Sequence, residues 1–146
     1  MSETQSLDEA HARPDGMSDE LVAVAGKISE ALERLERARG ALYDFHQLVG
    51  GADRMLDDVV AGLEATGHRE LAWRVAEELI GQNVLAGRWT FQVVEEFDDG
   101  YYASFRELER AVREATMGGR RHVYEAELKE RRRTRGRPGH EATPEE

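Results

Sequence analysis

The chain contains no cysteine, and proline accounts for only 3 of its 146 residues. The absence of cysteine excludes disulfides, thiolate-bound zinc, iron–sulfur clusters and cysteine nucleophiles. The sequence also lacks the run of about 18 apolar residues that a membrane span needs. Its acidic N-terminal segment contains no apolar stretch, so neither a signal peptide nor a transit peptide is expected. These absences predict a cytoplasmic protein that does not contact a membrane.

Acidic residues dominate the charge of the chain. The sequence has 30 acidic and 20 basic side chains, a net charge of −10, and 34% charged against 40% hydrophobic residues. This surplus of negative charge opposes general binding to nucleic acid or anionic lipid, because both require cations that face phosphate. The basic residues are almost all arginine, a bias typical of GC-rich bacterial genomes. At this length we expect one domain with a modest core inside a strongly ionised surface.

A heptad pattern of apolar residues is the strongest signal in the sequence. It begins after Ser18, a typical N-cap that two acidic residues follow. Apolar residues fill both core positions of the repeat, namely Leu21, Ile28, Leu35, Leu42 and Val49 at one and Val24, Ala31, Ala38 and Phe45 at the other. This spacing predicts one long helix over 18–49, ended by Gly50 and Gly51. Since such a helix is longer than a small domain needs, we expect a second copy to cover part of it in a homodimer.

Shorter helical patterns follow the long helix. We expect helices over 52–66 and 69–80, which form an αα-hairpin with glycine 67 between them, and a further helix over 88–117. The predicted fold class is all-α, a helical bundle of four main helices with a long N-terminal heptad helix, a peripheral C-terminal helix and disordered tails. The expected segments are a disordered acidic tail (1–16), a helical bundle domain (17–117), a peripheral polar helix (118–133) and a disordered tail (134–146).

Residues 88–97 fit two kinds of secondary structure. Trp89, Phe91 and Val93 alternate as in a strand, while a series of apolar residues from Trp89 to Val112 continues at helical spacing. We favour a helix, because a lone strand has no pairing partner in an otherwise helical chain. The Asp-Asp-Gly sequence that follows is expected to kink or restart this helix, since glycine and aspartate are poor residues in a helix interior.

Aromatic and acidic residues are concentrated between Trp89 and Phe105. Aromatic faces beside carboxylates suit a cationic group or an arginine-rich partner. We therefore predict a partner-binding region that consists of Trp89, Glu95, Glu96, Asp98, Asp99, Tyr101 and Tyr102. In the alternative interpretation, most of these aromatic side chains form the buried stripe of a helix, which leaves Tyr102 and the acidic residues exposed.

Pairs of acidic residues suggest a second function class. The fragments Glu33-x-x-Glu36 and Glu95-x-x-Asp98 resemble the magnesium-binding fragments of all-helical MazG-type nucleotide pyrophosphatases. The resemblance implies magnesium-dependent nucleotide hydrolysis as an alternative function, although two whole helices separate the fragments here, more than in that family. Only Asp8 and His11, which lie in the predicted disordered tail, have the acid-x-x-His spacing of a di-iron site, and no pair of histidines has the spacing of a helical zinc site. We therefore expect neither a metal nor a cofactor.

His46 lies on the apolar side of the predicted long helix. A histidine in this position has two interpretations, a group that transfers protons or a half-buried residue near the end of the helix. We favour the second, because a charged histidine near a helix C-terminus interacts favourably with the helix dipole.

The C-terminal segment contains a cluster of arginines. Its Arg135-Gly136-Arg137-Pro138 sequence resembles the core of an AT-hook, which lies extended in the narrow minor groove of A·T-rich DNA. The resemblance implies a DNA-associated accessory protein as another alternative, with contacts from Arg131, Arg132, Arg133, Arg135 and Arg137. We favour the other interpretations of this segment, a solubilising tail or a basic arm that folds back onto an acidic face.

No motif in the sequence indicates nucleophilic catalysis or phosphate binding. It lacks the G-x-S-x-G motif, and its glycine pairs lack the lysine of a P-loop. The function that we predict is therefore a non-catalytic protein–protein interaction module. It forms a homodimer through the long helix and presents the acidic and aromatic segment to an unidentified protein partner.

Overall fold

The computed structural model describes residues 6–143. Over this range the chain is all-α, and an isolated β-bridge between Leu85 and Arg88 is the only extended pairing. The helices are α1 (Asp19–Ala65), α2 (Arg69–Arg74), α3 (Thr90–Phe97), α4 (Ala103–Met117) and α5 (Val123–Arg132). Two π-helical turns are also present, Val75–Leu79 after α2 and Asp98–Tyr102 between α3 and α4. The predicted fold class is confirmed.

Helix α1 begins where its sequence predicts. The hydroxyl of Ser18 accepts a hydrogen bond from the N–H of Leu21 at 3.2 Å, and Asp19 and Glu20 occupy the first turn. The hydroxyl satisfies an N–H that has no partner within the helix, and the two acids interact favourably with the helix dipole. The helix then continues for 47 residues without a break.

The predicted end of this helix at Gly50 and Gly51 is wrong. Helix α1 continues through both glycines and includes the separate helix predicted over 52–66. A glycine inside a helix costs about 1 kcal/mol relative to alanine, which is a local and modest penalty. Val49 and Leu56 are half-buried on either side of the glycines. Burial of such side chains along one continuous face offsets the penalty.

The helix stop predicted at Gly67 for the second helix is confirmed, and α1 ends just before it, at Ala65. Gly67 has φ +83°, a left-handed conformation that glycine adopts without strain. The N–H of His68 bonds to the carbonyl of Leu63 at 2.8 Å, and the N–H of Gly67 bonds to the carbonyl of Glu64 at 3.2 Å. This pair of bonds is a Schellman motif, which satisfies the last carbonyls of the helix. The predicted hairpin turn therefore connects α1 to α2.

The chain forms two compact units. Within the described residues, the terminal unit contains residues 6–35 and 103–143, and the central unit contains Glu36–Tyr102. The predicted segment boundaries, with one domain over 17–117, stay predictions. Residues 1–5 of the first predicted tail and residues 144–146 of the second lie outside the described residues.

The terminal unit has a small apolar core. Val22 and Ala25 of α1 pack with Met117 of α4 and Val123 of α5, and all four side chains are buried. Gly26 allows α5 to approach α1 closely, because a Cβ atom at this position would lie 2.8 Å from the Cβ of Tyr124.

Polar contacts complete the terminal unit. Glu109 of α4 is buried and accepts hydrogen bonds from the Ser29 hydroxyl and from Nε of Arg113, both at 3.1 Å. Arg13, which precedes α1, forms a 2.7 Å ion pair with Glu127 of α5. These contacts satisfy the buried carboxylate and attach the N-terminal segment to the helices.

In the central unit, three α1 residues spaced by seven contact the rest of the unit. Arg39 donates to Asp98, His46 bonds to Thr90, and Asp53 accepts from the N–H of Gly81. Because seven residues are close to two helical turns, these contacts follow one side of α1. The first two join α1 to α3 and to the π-helical turn after it.

Candidate partner-binding region

The acidic and aromatic segment begins at a turn that leads into α3. The N–H of Arg88 bonds to the carbonyl of Leu85 at 3.0 Å, and the N–H of Trp89 donates to the side-chain oxygen of Gln92 at 2.8 Å. The second bond satisfies a backbone N–H at the helix start. Helix α3 then begins at Thr90, which confirms the helical interpretation of this segment.

The Asp-Asp-Gly sequence lies in the π-helical turn Asp98–Tyr102, at the position where a kink or restart was predicted. A π-helical turn pairs residues five apart rather than four apart. Tyr102, five residues after Phe97, accordingly stacks on the Phe97 ring with centroids 5.9 Å apart. Tyr102 is buried, whereas Tyr101 is 62% exposed. The alternative in which Tyr101 is buried and Tyr102 exposed is therefore wrong, because the π-helical turn shifts the buried face by one residue.

Arg39 of α1 forms the main polar contact with this turn. Its Nε and Nη2 donate to the two carboxylate oxygens of Asp98 at 2.8 and 3.1 Å. The guanidinium also lies over the Tyr102 ring, with Cζ 4.8 Å from the ring centre. The hydrogen bonds from Arg39 lower the pKa of Asp98, although partial burial opposes this shift. The same pairing raises the pKa of Arg39. Asp98 therefore stays ionised in a bidentate ion pair with Arg39.

Tyr102 links the π-helical turn to α1 a second time. Its hydroxyl donates to a carboxylate oxygen of Glu36 at 2.6 Å. Arg39 also lies over the ring of Tyr43, one turn further along α1, at 5.1 Å. Asp98 and Tyr102 are thus used in contacts within the chain, and their predicted role in binding a partner stays a prediction.

The other five residues of the predicted partner-binding region have exposed side chains, namely Trp89, Glu95, Glu96, Asp99 and Tyr101. Trp89 packs edge-on against Phe91, with ring centroids 5.3 Å apart. Glu96 forms an ion pair with Arg88. The exposed part of the region therefore combines aromatic rings with carboxylates, both of which attract cationic groups.

The MazG-like acidic residues do not form a metal site in the described part of the chain. Residues 6–143 contain no group of three or more histidine, aspartate or glutamate side chains that could hold a metal ion. Asp98 pairs with Arg39, and Glu36 accepts from Tyr102, whose ring lies under the same arginine. Both carboxylates are therefore used in contacts within the chain. Nucleotide hydrolysis stays a prediction.

His46 is half-buried and joins α1 to the start of α3. Its Nδ1 lies 2.7 Å from the hydroxyl oxygen of Thr90. Because α1 continues to Ala65, His46 is not close to a helix end, and this part of its predicted environment is wrong. The contact positions α3 against α1.

The arginine-rich segment is partly neutralised within the chain. Nε and Nη2 of Arg133 donate to the two oxygens of Glu130 at 2.7 and 3.0 Å, and Arg135 donates to the same carboxylate at 3.1 Å. These bonds, chiefly those from Arg133, lower the pKa of Glu130. The N–H of Arg137 bonds to the carbonyl of Thr134 at 3.2 Å, so the AT-hook-like sequence is turned rather than extended. Arg131, Arg132, Arg135 and Arg137 are exposed. DNA contact stays a prediction.

Helix α1 carries a second apolar stripe, of which the sequence interpretation named only Phe45, as a core position of the heptad repeat. Its residues lie at alternating spacings of four and three, and each is exposed and uncharged. This outer stripe consists of Ala41, Phe45, Leu48, Ala52, Met55, Val59 and Gly62. A helix break at Gly50 and Gly51 would divide the stripe into two short pieces, so the pattern becomes visible only when the helix is continuous. The signal available in the sequence was the unchanged spacing on both sides of the glycines.

Exposed apolar side chains are distributed unequally between the two units. Within residues 6–143, thirteen of the eighteen exposed large hydrophobic side chains belong to the central unit. Leu48 is 72% exposed, Met55 70% and Trp73 60%. Concentrations of this kind are typical of interaction surfaces in soluble proteins.

Within the described residues, no helix combines the length and the apolar character needed to cross a membrane. Comparison of the chain with protein-family models, with curated proteins and with solved structures found no match.

Proposed function

We propose that this chain is a non-catalytic protein–protein interaction module that self-associates through α1. The observation that carries the proposal is the concentration of exposed large apolar side chains in the central unit, thirteen of the eighteen within residues 6–143. Apolar area removed from water stabilises a complex by roughly 25 cal/mol per Å². A partner that covers these side chains would therefore form a complex stabilised by apolar contacts that the chain does not make with itself.

The length of α1 supports self-association. Its N-terminal part contributes Val22 and Ala25 to the core of the terminal unit, whereas Leu48, Met55 and Val59 in its C-terminal part are exposed. An amphipathic helix is normally stabilised by packing of its apolar face. The C-terminal part of α1 therefore has an apolar face without such packing inside the central unit.

The acidic and aromatic region is the second binding surface that we propose. Trp89, which immediately precedes α3, and Phe91 within α3 expose aromatic surface. Glu95 of α3 and Asp99 of the π-helical turn are exposed as well. Aromatic rings and carboxylates together favour guanidinium and ammonium groups. We therefore propose a protein partner whose contact segment is cationic, and the net charge of −10 would increase the rate of its association.

Sedimentation equilibrium of the full chain, from low to high micromolar concentration, tests self-association. We expect a dimer that dissociates on dilution. Because each copy carries a net charge of −10, higher salt should screen the repulsion and strengthen the dimer. A monomer at every concentration and salt would contradict self-association.

The second surface can be tested with a short arginine-rich peptide and fluorescence anisotropy. The chain has 2 tryptophans, and both Trp73 and Trp89 are exposed. We expect Trp89→Ala to weaken peptide binding about tenfold, the equivalent of about 1.4 kcal/mol, and Trp73→Ala to leave it unchanged. Equal effects of the two substitutions, or no binding to the unmodified chain, would contradict a cation-binding role for the region.

A further inference from the structure

The outer stripe has the periodicity of a coiled-coil seam. From Ala41 to Gly62 its spacings are four, three, four, three, four and three, an average of 3.5 residues. A stripe with this period stays on one side of two helices that supercoil around each other. The stripe contains no charged side chain, although 34% of the whole chain is charged. Both features indicate that the surface complementary to it is another helix of the same period.

The rest of the central unit contacts a different side of α1. Its contacts at Arg39, His46 and Asp53 each lie two residues before a member of the stripe. Two residues correspond to about 200° around an α-helix, so these contacts are on the side of α1 away from the stripe. Consistent with this geometry, all seven residues of the stripe are exposed. The stripe is therefore available for a partner while the central unit keeps its own contacts.

We propose that the outer stripe of one copy pairs with the outer stripe of a second copy as a two-helix coiled coil. This inference rests on the proposed self-association and assigns its contact surface. A symmetric dimer uses the same patch twice, so the patch must complement itself. The stripe meets this requirement, because small residues (Ala41, Ala52 and Gly62) flank two pairs of larger ones and allow the helices to approach closely. A second copy also supplies a helix with the matching period and length.

Two alanines on α1 provide a matched pair of variants. Ala52 belongs to the stripe, whereas Ala61 is nine residues further along, which is half a turn away around the helix. Both are exposed in the same helix, so Ala52→Asp and Ala61→Asp should have similar effects on helix stability. We expect Ala52→Asp to weaken dimerisation at least tenfold in sedimentation equilibrium, and Ala61→Asp to leave it within twofold of the unmodified chain. Circular dichroism should show equal helix content in both variants.

Disulfide cross-linking provides an independent test, because the chain has no cysteine of its own. In a parallel pair, the cysteine of Leu48→Cys in one copy should form a disulfide with the same cysteine in the second copy. In an antiparallel pair, Leu48→Cys should instead cross-link with Ala52→Cys when the two variants are mixed. Either result supports pairing through the stripe. Cross-linking of Ala61→Cys as fast as the stripe variants, or no cross-linking of the stripe variants, would overturn it.

The outcomes separate this inference from the proposed function. If the unmodified chain is a monomer throughout, both self-association and pairing through the stripe are wrong. If it is a dimer that Ala52→Asp leaves intact, the stripe is not the contact surface, while self-association through another part of the chain stands.

Discussion

The two units of the chain use their apolar residues in opposite ways. The terminal unit buries Val22, Met117 and Val123 against one another, and Met117 is only 1% exposed. The central unit leaves Leu48 and Met55 largely in water, although α1 supplies side chains to both units. The N-terminal part of α1 therefore contributes side chains to a buried core, whereas its C-terminal part exposes an apolar face. This difference in exposure is the observation on which the proposed binding role of the central unit rests.

The polar contacts of the two units also differ in burial. In the terminal unit, Glu109 and Arg113 form an ion pair with each other, and their side chains are 9% and 13% exposed. In the central unit, the Arg39 and Asp98 side chains are 31% and 24% exposed. An ion pair near water contributes little, whereas removal of one member of a buried pair is costly. We therefore expect substitutions in the terminal unit to affect folding more strongly.

The largest effect is expected at Arg113. Arg113→Met keeps most of the volume of the side chain but leaves Glu109 buried without its ion-pair partner. Loss of one partner of a buried pair typically costs about 3 kcal/mol or more in the free energy of unfolding. Urea denaturation followed by circular dichroism would measure this change. As a control, the double variant with Glu109→Gln should recover part of the loss, because the uncompensated charge is then absent. A single variant as stable as the unmodified chain would show that the pair is not a buried one.

Methionine to alanine substitutions compare the two units directly. Met117 is buried in the terminal core, whereas Met55 is 70% exposed in the outer stripe. We expect Met117→Ala to lower the free energy of unfolding by about 2 to 4 kcal/mol, through lost burial and an added cavity. Met55→Ala should change it by less than about 0.5 kcal/mol at concentrations where the chain is monomeric. Similar losses for the two variants would remove the distinction between the units.

Glycine to alanine substitutions in α1 should have opposite signs in the two units. At Gly26 a new Cβ would lie 2.8 Å from Cβ of Tyr124, and that atom cannot move without a shift of α5. At Gly40 a new Cβ meets no atom within 4 Å. We expect Gly40→Ala to raise the free energy of unfolding by up to about 1 kcal/mol, the usual gain in a helix interior, and Gly26→Ala to lower it. Thermal denaturation of the two variants measures the signs, and a gain in stability at Gly26 would contradict the close approach of the helices.

Local sequence signals predicted two helix ends correctly, and they also predicted one helix end that the structure does not contain. The N-cap at Ser18 and the stop at Gly67 were predictable, because capping depends on a few neighbouring residues. The continuation of α1 through Gly50 and Gly51 was not, because it depends on packing along the whole helix. The helical state of residues 90–97 followed from periodicity, which tolerates single unfavourable residues.

The candidate site was predictable in composition but not in orientation. Trp89 and Asp99 were expected to be available to a partner, and both are exposed. Tyr102 is buried and Tyr101 is exposed, the reverse of what regular helical spacing predicts. The reason is the π-helical turn, whose extra residue rotates the side chains that follow it around the helix axis. The ion pair between Arg39 and Asp98 joins residues that are far apart in the sequence, and no local sequence pattern predicts such a contact.

The smallest predicted effect is the pH dependence contributed by the pair in the central unit. Arg39 lowers the pKa of Asp98 in the folded chain below its ordinary value of 3.8. The stabilisation from this pair is therefore fully present above about pH 3.8 and is lost as the pH falls through the lower, folded-state pKa. Asp98→Asn should make the decline in the free energy of unfolding between pH 5 and pH 2 shallower than in the unmodified chain. Arg39→Gln should flatten it similarly, and the double variant should flatten it no further, since both substitutions remove the same interaction. An unchanged slope in Asp98→Asn would mean that solvent screens the pair completely, and the central unit would then depend on its apolar contacts alone.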